Sequence, residues 1–154
     1  MIDDNELSAW PLIIERIKSQ VAGLRDVLLA YQLADVLNGT QAPVSNAAYV
    51  VFDGEDAVEL HPDGESQIVT QGWLVVLSVH NPSNASAGRG PVEQAGPLYT
   101  QIRRALAGWS PGDDYSDLQR TTAPRPIYAA GGYAYFQQRY ITQIVTMPPN
   151  DLPI

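Results

Sequence analysis

The segment from Gln67 to Val79 most constrains the fold of this chain, because it is apolar on both faces of a predicted strand. Alternation places five large apolar side chains on one face: Val69, Trp73, Val75, Leu77 and Val79. Ile68, Leu74 and Val76 lie on the other face. A strand that is apolar on both sides needs neighbours on both edges and cover on each face. The sequence therefore predicts a sheet with this strand at its centre, and Gly72 within it is a candidate β-bulge.

Two amphipathic helices are the next clearest elements. The first begins between Ser8 and Pro11, because proline is tolerated in a first helical turn, and Gly23 signals its end. Its apolar stripe consists of Ile14, Ile17, Val21 and Leu24. After it, the sequence is compatible with a short strand over Leu24–Leu29 or with a link into another helix at Ala30–Leu37.

The later helix opens at Gly96-Pro97, and its apolar stripe consists of Leu98, Ile102, Ala105, Leu106 and Trp109. Gly108 is placed to end this helix in a left-handed conformation, and Pro111 prevents its continuation. Trp109 is expected to fold back onto the last turn. If its ring is fully buried, the substitution Trp109→Ala costs about 3 to 5 kcal/mol of stability.

Further strands complete the predicted sheet. Five segments rich in β-branched or aromatic residues are Ala47–Asp53, Ala57–Leu60, Ile127–Ala130, Tyr133–Phe136 and Arg139–Thr146. An acidic turn at Asp53–Asp56 separates the first two, and Gly131-Gly132 favours a two-residue hairpin turn between the next two. The sequence predicts an α+β fold, with a mostly antiparallel, mixed sheet of about four to six strands and two or three helices packed against it.

The chain of 154 residues is expected to form a single domain over residues 1–154. Three of its segments are expected to be irregular: a flexible acidic N-terminus at 1–8, a long loop at 81–95 and a proline-rich tail at 147–154. Long loops without internal structure in a compact domain are usually functional or disordered. The loop is therefore a candidate interaction element.

Charge and residue usage exclude several classes of function. The chain has no cysteine, which removes a disulfide framework, a zinc-thiolate site and a thiol nucleophile. A net charge of −8 argues against tight binding to duplex DNA, which requires a basic face. The acidic N-terminus lacks the positive charge of a signal peptide, and no long apolar run predicts a membrane span.

No residue pattern predicts catalysis, a metal site or a cofactor. His61 and His80 have acidic neighbours, but their spacing matches no metal-binding motif. Asp113, Asp114 and Asp117 are the candidates for a small carboxylate-dependent hydrolase, although adjacent loop acids are more often a solvated edge. No Gly-x-Ser-x-Gly elbow and no P-loop motif occur. The sequence therefore favours a protein that is not an enzyme.

Tyrosines crowd the C-terminal hairpin and strand: Tyr128, Tyr133, Tyr135 and Tyr140. Alternation leaves some of them on an outer face, where tyrosine suits association with another protein. The alternative, that half of them simply cover the core, is equally favoured.

The order of segments resembles a known family. It runs acidic start, helix, short link, helix, strands, Val79-His80-Asn81 with a Gly/Ser-rich loop, the helix Pro97–Leu106, and a late Gly131-Gly132 before the last strands. Its best local marker is the helix exit Leu106-Ala107-Gly108-Trp109-Ser110-Pro111. This pattern, over roughly Leu12–Thr146, resembles the tail terminator proteins of long-tailed bacteriophages, particularly those of Mu-like phages.

The resemblance implies a structural virion protein in the tail or neck, assembled in the bacterial cytoplasm. It implies a homo-oligomeric ring, usually a hexamer, that caps the head-proximal end of the tail tube, ends tube polymerisation and joins the tail to the head. The implied partners are the tail tube protein, a head-completion or connector protein, and genomic DNA that passes without tight binding. Another neck or connector subunit of the same particle is the alternative.

The candidate site residues follow from that role. Those for structure or interface are Gly108, Trp109, Pro111, Arg89, Arg103, Arg104, Tyr133 and Tyr135. Those for an acidic channel or contact face are Asp53, Glu55, Asp56, Asp113 and Asp114. Six copies of a chain with net charge −8 carry −48, which would repel the phosphates of passing DNA.

Overall fold

The computed structural model describes residues 5–28, 44–60, 62, 66–83 and 89–146. Within them lie two helices and six strands: α1 (Ala9–Gln20), β1 (Asp26–Leu28), β2 (Ala47–Leu60), β3 (Gln67–His80), α2 (Arg89–Leu106), β4 (Gln119–Thr121), β5 (Ile127–Ala129) and β6 (Tyr133–Thr146). The sheet has the order β1-β2-β3-β6-β4, and β5 also pairs with β6. The β1–β2 pair is parallel and the other pairs are antiparallel. The predicted α+β fold with a mixed sheet is confirmed.

Strand β3 is central, as its two apolar faces predict. It pairs with β2 on one edge and with β6 along its whole length on the other, from Gln67 opposite Thr146 to His80 opposite Tyr133. The sequence separates Tyr133–Phe136 from Arg139–Thr146, and this prediction is wrong, because one strand covers both. The intervening Gln138 is buried, and its amide donates to the carbonyl of Tyr99 at 2.7 Å, so a polar residue continues the strand without an unsatisfied donor.

The predicted acidic turn at Asp53–Asp56 is also wrong, because β2 runs through it. The register shifts between Phe52 and Glu55, and Gly54 has a φ of +86°, which identifies a bulge in β2. Gly72 lies opposite this bulge and is itself regularly paired with Ile141. The predicted bulge is therefore on the partner strand. A Cβ at position 72 would lie 3.1 Å from the guanidinium of Arg139, so a larger residue there requires that side chain to shift by a few tenths of an ångström.

Helix α2 begins at Arg89, not at Gly96-Pro97 as the proline pattern predicts. Residues 89–95 of the predicted loop are helical, and Pro91 occupies the first turn in which proline is favoured. Pro97 lies inside the helix with its ring exposed. Burial of Ala95 and Leu98 against the sheet explains why the helix continues past a residue that removes one backbone hydrogen bond.

Both helices pack on one face of the sheet. The core joins the buried stripe of α1, which includes Ile13 as well as the predicted Ile14 and Ile17, to that of α2 and to alternate residues of β2, β3 and β6. A smaller cluster on the other face contains Tyr49, Val76 and Tyr135. Of the two alternatives for Leu24–Leu29, a short strand or a link into another helix, the structure shows the strand, β1.

Residues 5–8 form a turn at the N-terminal end of the described chain. The carbonyl of Glu6 accepts a hydrogen bond from the side-chain amide of Gln71, and the Ser8 and Tyr115 hydroxyls lie 2.6 Å apart. These contacts tie the start of α1 to β3 and to the segment after α2. The helix at Ala30–Leu37, His61 and the tail at 147–154 lie outside the described residues.

The hairpin before β6 is confirmed, with a loop of three residues instead of two. β5 pairs with the start of β6, from Ile127 opposite Tyr135 to Ala129 opposite Tyr133. Between them a short 3-10 turn covers Ala130–Gly132, and both glycines have positive φ, of 80° and 84°. The two glycines therefore supply the left-handed backbone that a tight reversal requires.

Stability is expected to fall at alkaline pH because of Tyr140. Its hydroxyl is buried and donates to the side-chain oxygen of Gln138, and burial raises the pKa of Tyr140 well above its ordinary value of 10. The folded protein therefore keeps a proton that the unfolded chain loses. This contribution is complete below about pH 10 and is lost above it, by about 1.4 kcal/mol per pH unit for one such group.

Urea unfolding measured at several values between about pH 8 and about pH 11 checks this expectation. Burial also raises the pKa values of Tyr49 and Tyr135, so these residues add to the same slope. The variant Tyr140→Phe is expected to lose stability less steeply with pH than the unmodified protein. Equal slopes for the two proteins would mean that Tyr140 ionises normally in the fold.

Candidate assembly surfaces

The exit from α2 is a hydrogen-bonded structure that holds the segment after the helix. Gly108 has a φ of +80°, as predicted for a left-handed helix end. Its N–H donates to the carbonyl of Leu118 at 2.8 Å, and the Leu118 N–H donates to the carbonyl of Trp109 at 2.9 Å. Ser110 donates to nearby carbonyls, and Pro111 is buried. Pro111 therefore packs inside the loop, whereas the exposed Gly108 supplies its left-handed backbone.

Trp109 is only partly buried and packs against the edge of the core. The guanidinium of Arg16, from α1, lies 5.4 Å from the centre of its ring. Arg16 also donates through Nε to the carbonyl of Ala105 at 2.9 Å. One arginine of α1 thus joins the two helices at the end of α2.

The arginines of α2 lie at its two ends. Arg89 forms an exposed ion pair with Glu93 one turn later, at 2.8 Å, which stabilises a helix by about 0.2 to 0.5 kcal/mol. Arg103 and Arg104 lie in the last turn, where positive charge complements the helix dipole. Arg104 is exposed, whereas Arg103 is half-buried and its charge acts on the hydroxyl of Tyr140.

The C-terminal tyrosines divide between the core and the surface. Tyr135 is 4% exposed and Tyr140 is fully buried. Tyr133 is half-buried and stacks on His80, with ring centres 4.1 Å apart. Tyr128 is 54% exposed and touches Phe136 edge to face. The tyrosine best placed for contact with another protein is therefore Tyr128, which strand alternation did not single out.

The acidic residues of β2 are exposed along its outer half. Every residue from Asp53 to Glu59 is exposed, and four of the seven are carboxylates: Asp53, Glu55, Asp56 and Glu59. β1 pairs only with Ala47, Ala48 and Tyr49, so within the described residues no strand pairs with this edge of β2 beyond Tyr49. Asp53 lies 2.9 Å from Nε of Arg139.

Asp113, Asp114 and Asp117 are exposed in the loop after α2, as a solvated acidic edge is expected to be. A cavity of about 190 Å³ near this loop is lined by Ser116, Gln119, Ile141, Thr142 and Gln143, and thus by no carboxylate. This cavity therefore offers no enclosed pair of acids of the kind that a glycosidase uses.

The acidic residues of β2 and those of the loop after α2 lie at the same end of the sheet but at opposite edges. The N–H of Ser116 donates to the carbonyl of Gln143 in β6, Gln143 pairs with Thr70 in β3, and Thr70 pairs with Asp56 in β2. These four residues form one row across the sheet. Three strand spacings separate its ends by about 14 Å, so the structure does not bring the two acidic groups together.

A basic groove of about 450 Å³ lies on the β4 and β5 side of the sheet. Its lining contains Tyr99 of α2, Arg120 of β4, the segment 121–126, and Phe136 and Gln137 of β6. Arg120 donates to the hydroxyl of Tyr99 at 2.7 Å, and its guanidinium lies 5.3 Å from the ring centre. Gln137 fixes the carbonyl of Arg125 at 3.0 Å.

No carboxylate lines this groove, and within the described residues Arg120 and Arg125 form no ion pair. Sequence reasoning missed the groove because its residues come from three separate segments of the chain. The only signal was the arginine-rich character of the positive charge, which is concentrated in eight arginines and Lys18.

The described part of the chain supports neither a metal site nor a membrane-spanning helix. It contains no group of three or more His, Asp or Glu side chains that could hold a metal ion. His80 instead places its Nε2 2.9 Å from the carbonyl of Gly131. None of the helices in these ranges is both long enough and apolar enough to cross a membrane.

Comparison with known proteins gives one family. A model of the family described as phage tail terminator protein matches residues 3–149. Among solved structures, a chain of the virion of native gene transfer agent (GTA) particle is similar, with 11% identity and a TM-score of 0.45. The alignment covers 94% of this chain and 100% of that chain. No curated protein sequence gives a significant match.

Proposed function

The chain belongs to the phage tail terminator family, and from this premise we propose that it forms a closed ring on the head-proximal end of the tail tube. The family is one of structural proteins, and the protein is a structural component of the phage tail in the virion. In the proposal the ring has six copies, binds the last layer of tail tube protein and ends its polymerisation. Its other side receives a head-completion or connector protein.

The observation that carries this proposal is the family match, which extends over nearly the whole chain from residue 3 to residue 149. The shape of the sheet supports it. A ring of identical subunits requires heterologous contacts, in which one patch of a subunit meets a different patch of the next. The two edges of this sheet differ in the required way, because one carries exposed acids and the other the basic groove.

The excess of negative charge supports a role as a conduit for DNA. Asp113 and Asp114 are exposed at one end of the sheet, and the acids of β2 reach the same end. A ring with acidic groups at its lumen repels the phosphates of a passing duplex and prevents adhesion. Asp113 and Asp114 are the proposed lumen residues, since they do not line the groove.

The proposed function predicts that the purified protein stops tube growth. When it is added to polymerising tail tube protein, we expect electron micrographs to show shorter tubes, each with an extra ring at one end. Multi-angle light scattering of the protein alone at micromolar concentration should give the mass of a closed oligomer near six copies. A persistent monomer that leaves tube lengths unchanged would contradict the proposal.

The same experiment distinguishes another neck or connector subunit. Such a protein forms an oligomer and binds a finished tail, but does not limit the length of growing tubes. If tubes lengthen normally in the presence of an intact ring, the protein belongs to a different layer of the particle. A reconstruction of the virion would show which layer the chain occupies.

A further inference from the structure

We propose that the acidic outer half of β2 in one copy docks into the basic groove of the next copy and so forms the ring contact. We call residues 53–59 the acidic arm, and the groove lined by Tyr99, Arg120, Arg125 and Phe136 the basic groove. The inference rests on the proposed function, since it assigns the surfaces by which the proposed ring closes.

The basic groove is prepared for a carboxylate. Tyr99 holds the guanidinium of Arg120 by a hydrogen bond of 2.7 Å and by stacking at 5.3 Å. An arginine that is already fixed loses little side-chain freedom when it binds, and its planar head can hold a carboxylate through two hydrogen bonds. Arg125 also lines the groove and is exposed. It lies between Pro124 and Pro126, whose fixed φ angles restrict the backbone on that side of the groove.

The acidic arm has the complementary chemistry. Glu55, Asp56 and Glu59 are exposed, and within the described residues none of them forms an ion pair. Among the carboxylates of the arm, Asp53 alone forms an ion pair with another described residue, Arg139. The inner edge of the arm pairs with β3, whereas its outer edge pairs with no strand in the described residues. Such an outer edge is where the backbone N–H and C=O groups of a second chain can pair.

Apolar side chains accompany both charged surfaces. Val58 on the acidic arm is 56% exposed, and beside the groove Tyr128 is 54% and Ile127 is 44% exposed. Tyr128 contacts Phe136, which lines the groove. Contacts that bind strongly usually combine an aromatic or apolar anchor with fixed charge pairs, and these residues supply such an anchor.

The topology requires the partner to be another molecule. The acidic arm belongs to β2, and the groove lies beyond β6 and β4 on the other side of β3. The two surfaces therefore lie on opposite edges of one sheet and cannot meet within one chain. Because each subunit carries both surfaces, head-to-tail contacts between copies continue until the ring closes.

Charge reversal tests the contact. The variants Glu55→Arg/Asp56→Arg and Arg120→Glu/Arg125→Glu are each expected to dissociate the ring at micromolar concentration, with an apparent affinity at least about 100-fold weaker. The chain that combines all four substitutions restores opposite charges and should regain the ring. Glu15→Lys, on the exposed side of α1, changes charge away from both surfaces and is the matched control. Circular dichroism verifies that each variant is folded.

Cross-linking gives a second measurement that does not depend on charge. The chain has no cysteine, so a disulfide between Asp56→Cys and Arg125→Cys in the same chain reports only on this contact. Mild oxidation is expected to give a ladder of covalent oligomers up to the ring.

The possible results separate the two proposals. An unmodified protein that forms a ring, together with reversal variants that also form it and cysteines that do not cross-link, overturns this contact but leaves the proposed function intact. An unmodified protein that never forms a ring and never caps tubes overturns the proposed function itself.

Discussion

Gly132→Ala is expected to destabilise the fold by about 4 kcal/mol. Gly132 has a φ of +84°, where a side chain is strained. A Cβ at this position would lie 2.5 Å from the carbonyl oxygen of Asn81 and 2.6 Å from Cα of Pro82. Both atoms belong to backbone, so relief requires displacement of the segment after β3. That displacement also breaks the 2.8 Å hydrogen bond from the Asn81 N–H to the Gly132 carbonyl.

Gly131→Ala is the matched control for this prediction. Gly131 has a similar φ of +80°, but the nearest atoms to a Cβ there are ring carbons of Tyr133 at 3.8 Å, an ordinary contact. The control therefore carries the conformational strain without the steric clash, and should cost about 1 kcal/mol. Urea unfolding of the two variants measures the difference. Equal losses would show that strain alone, and not the approach of residues 81–82, explains the need for glycine.

Trp73→Ala is expected to cost about 3 to 5 kcal/mol, because it empties the centre of the core. Trp73 is 1% exposed, lies on the central strand and packs against the ring of Phe52 at 5.1 Å. Its indole N–H is buried, and no described residue accepts a hydrogen bond from it. Trp73→Phe should therefore cost only about 1 kcal/mol, since it keeps much of the packing and removes that unsatisfied donor.

Trp109→Ala provides the comparison at the edge of the core. The sequence predicts a loss of about 3 to 5 kcal/mol of stability if the ring of Trp109 is fully buried. In the structure the ring is only partly buried, and the guanidinium of Arg16 lies over it. The expected loss is therefore smaller, about 1 to 2 kcal/mol. Thermal unfolding of the Trp73 and Trp109 variants gives the order of the two effects. A larger loss at Trp109 than at Trp73 would contradict the core described for this sheet.

Elements with a single dominant local signal could be predicted from the sequence. The two-faced apolar pattern of Gln67–Val79 predicts the central strand, because only a strand with neighbours on both edges can bury both faces. The left-handed end of α2 at Gly108 is equally local, because glycine favours the left-handed helix end and a proline soon after it prevents the helix from continuing. The family resemblance rests on this helix exit and is confirmed by the match to the family model.

Elements in which local signals conflict could not be predicted. Asp53–Asp56 resembles a turn, yet the long partner strand β3 draws it into β2 and confines the irregularity to a bulge at Gly54. Pro97 resembles a helix start, yet burial of Ala95 extends α2 back to Arg89. At Pro97 the burial of Ala95, and at Asp53–Asp56 the strand pairing with β3, outweighs a local preference of about 1 to 3 kcal/mol.

The sequence by itself determined the fold class, the central strand, the helix exit at Gly108 and the membership of a phage tail family. Only the tertiary structure decided which charges share a surface. Arg120 and Arg125 become one groove through contacts with Tyr99 and Gln137, residues 12 to 21 positions away in the chain. Periodicity reports the burial of one element at a time, whereas a binding surface depends on distances between elements, which only the packed sheet and helices fix.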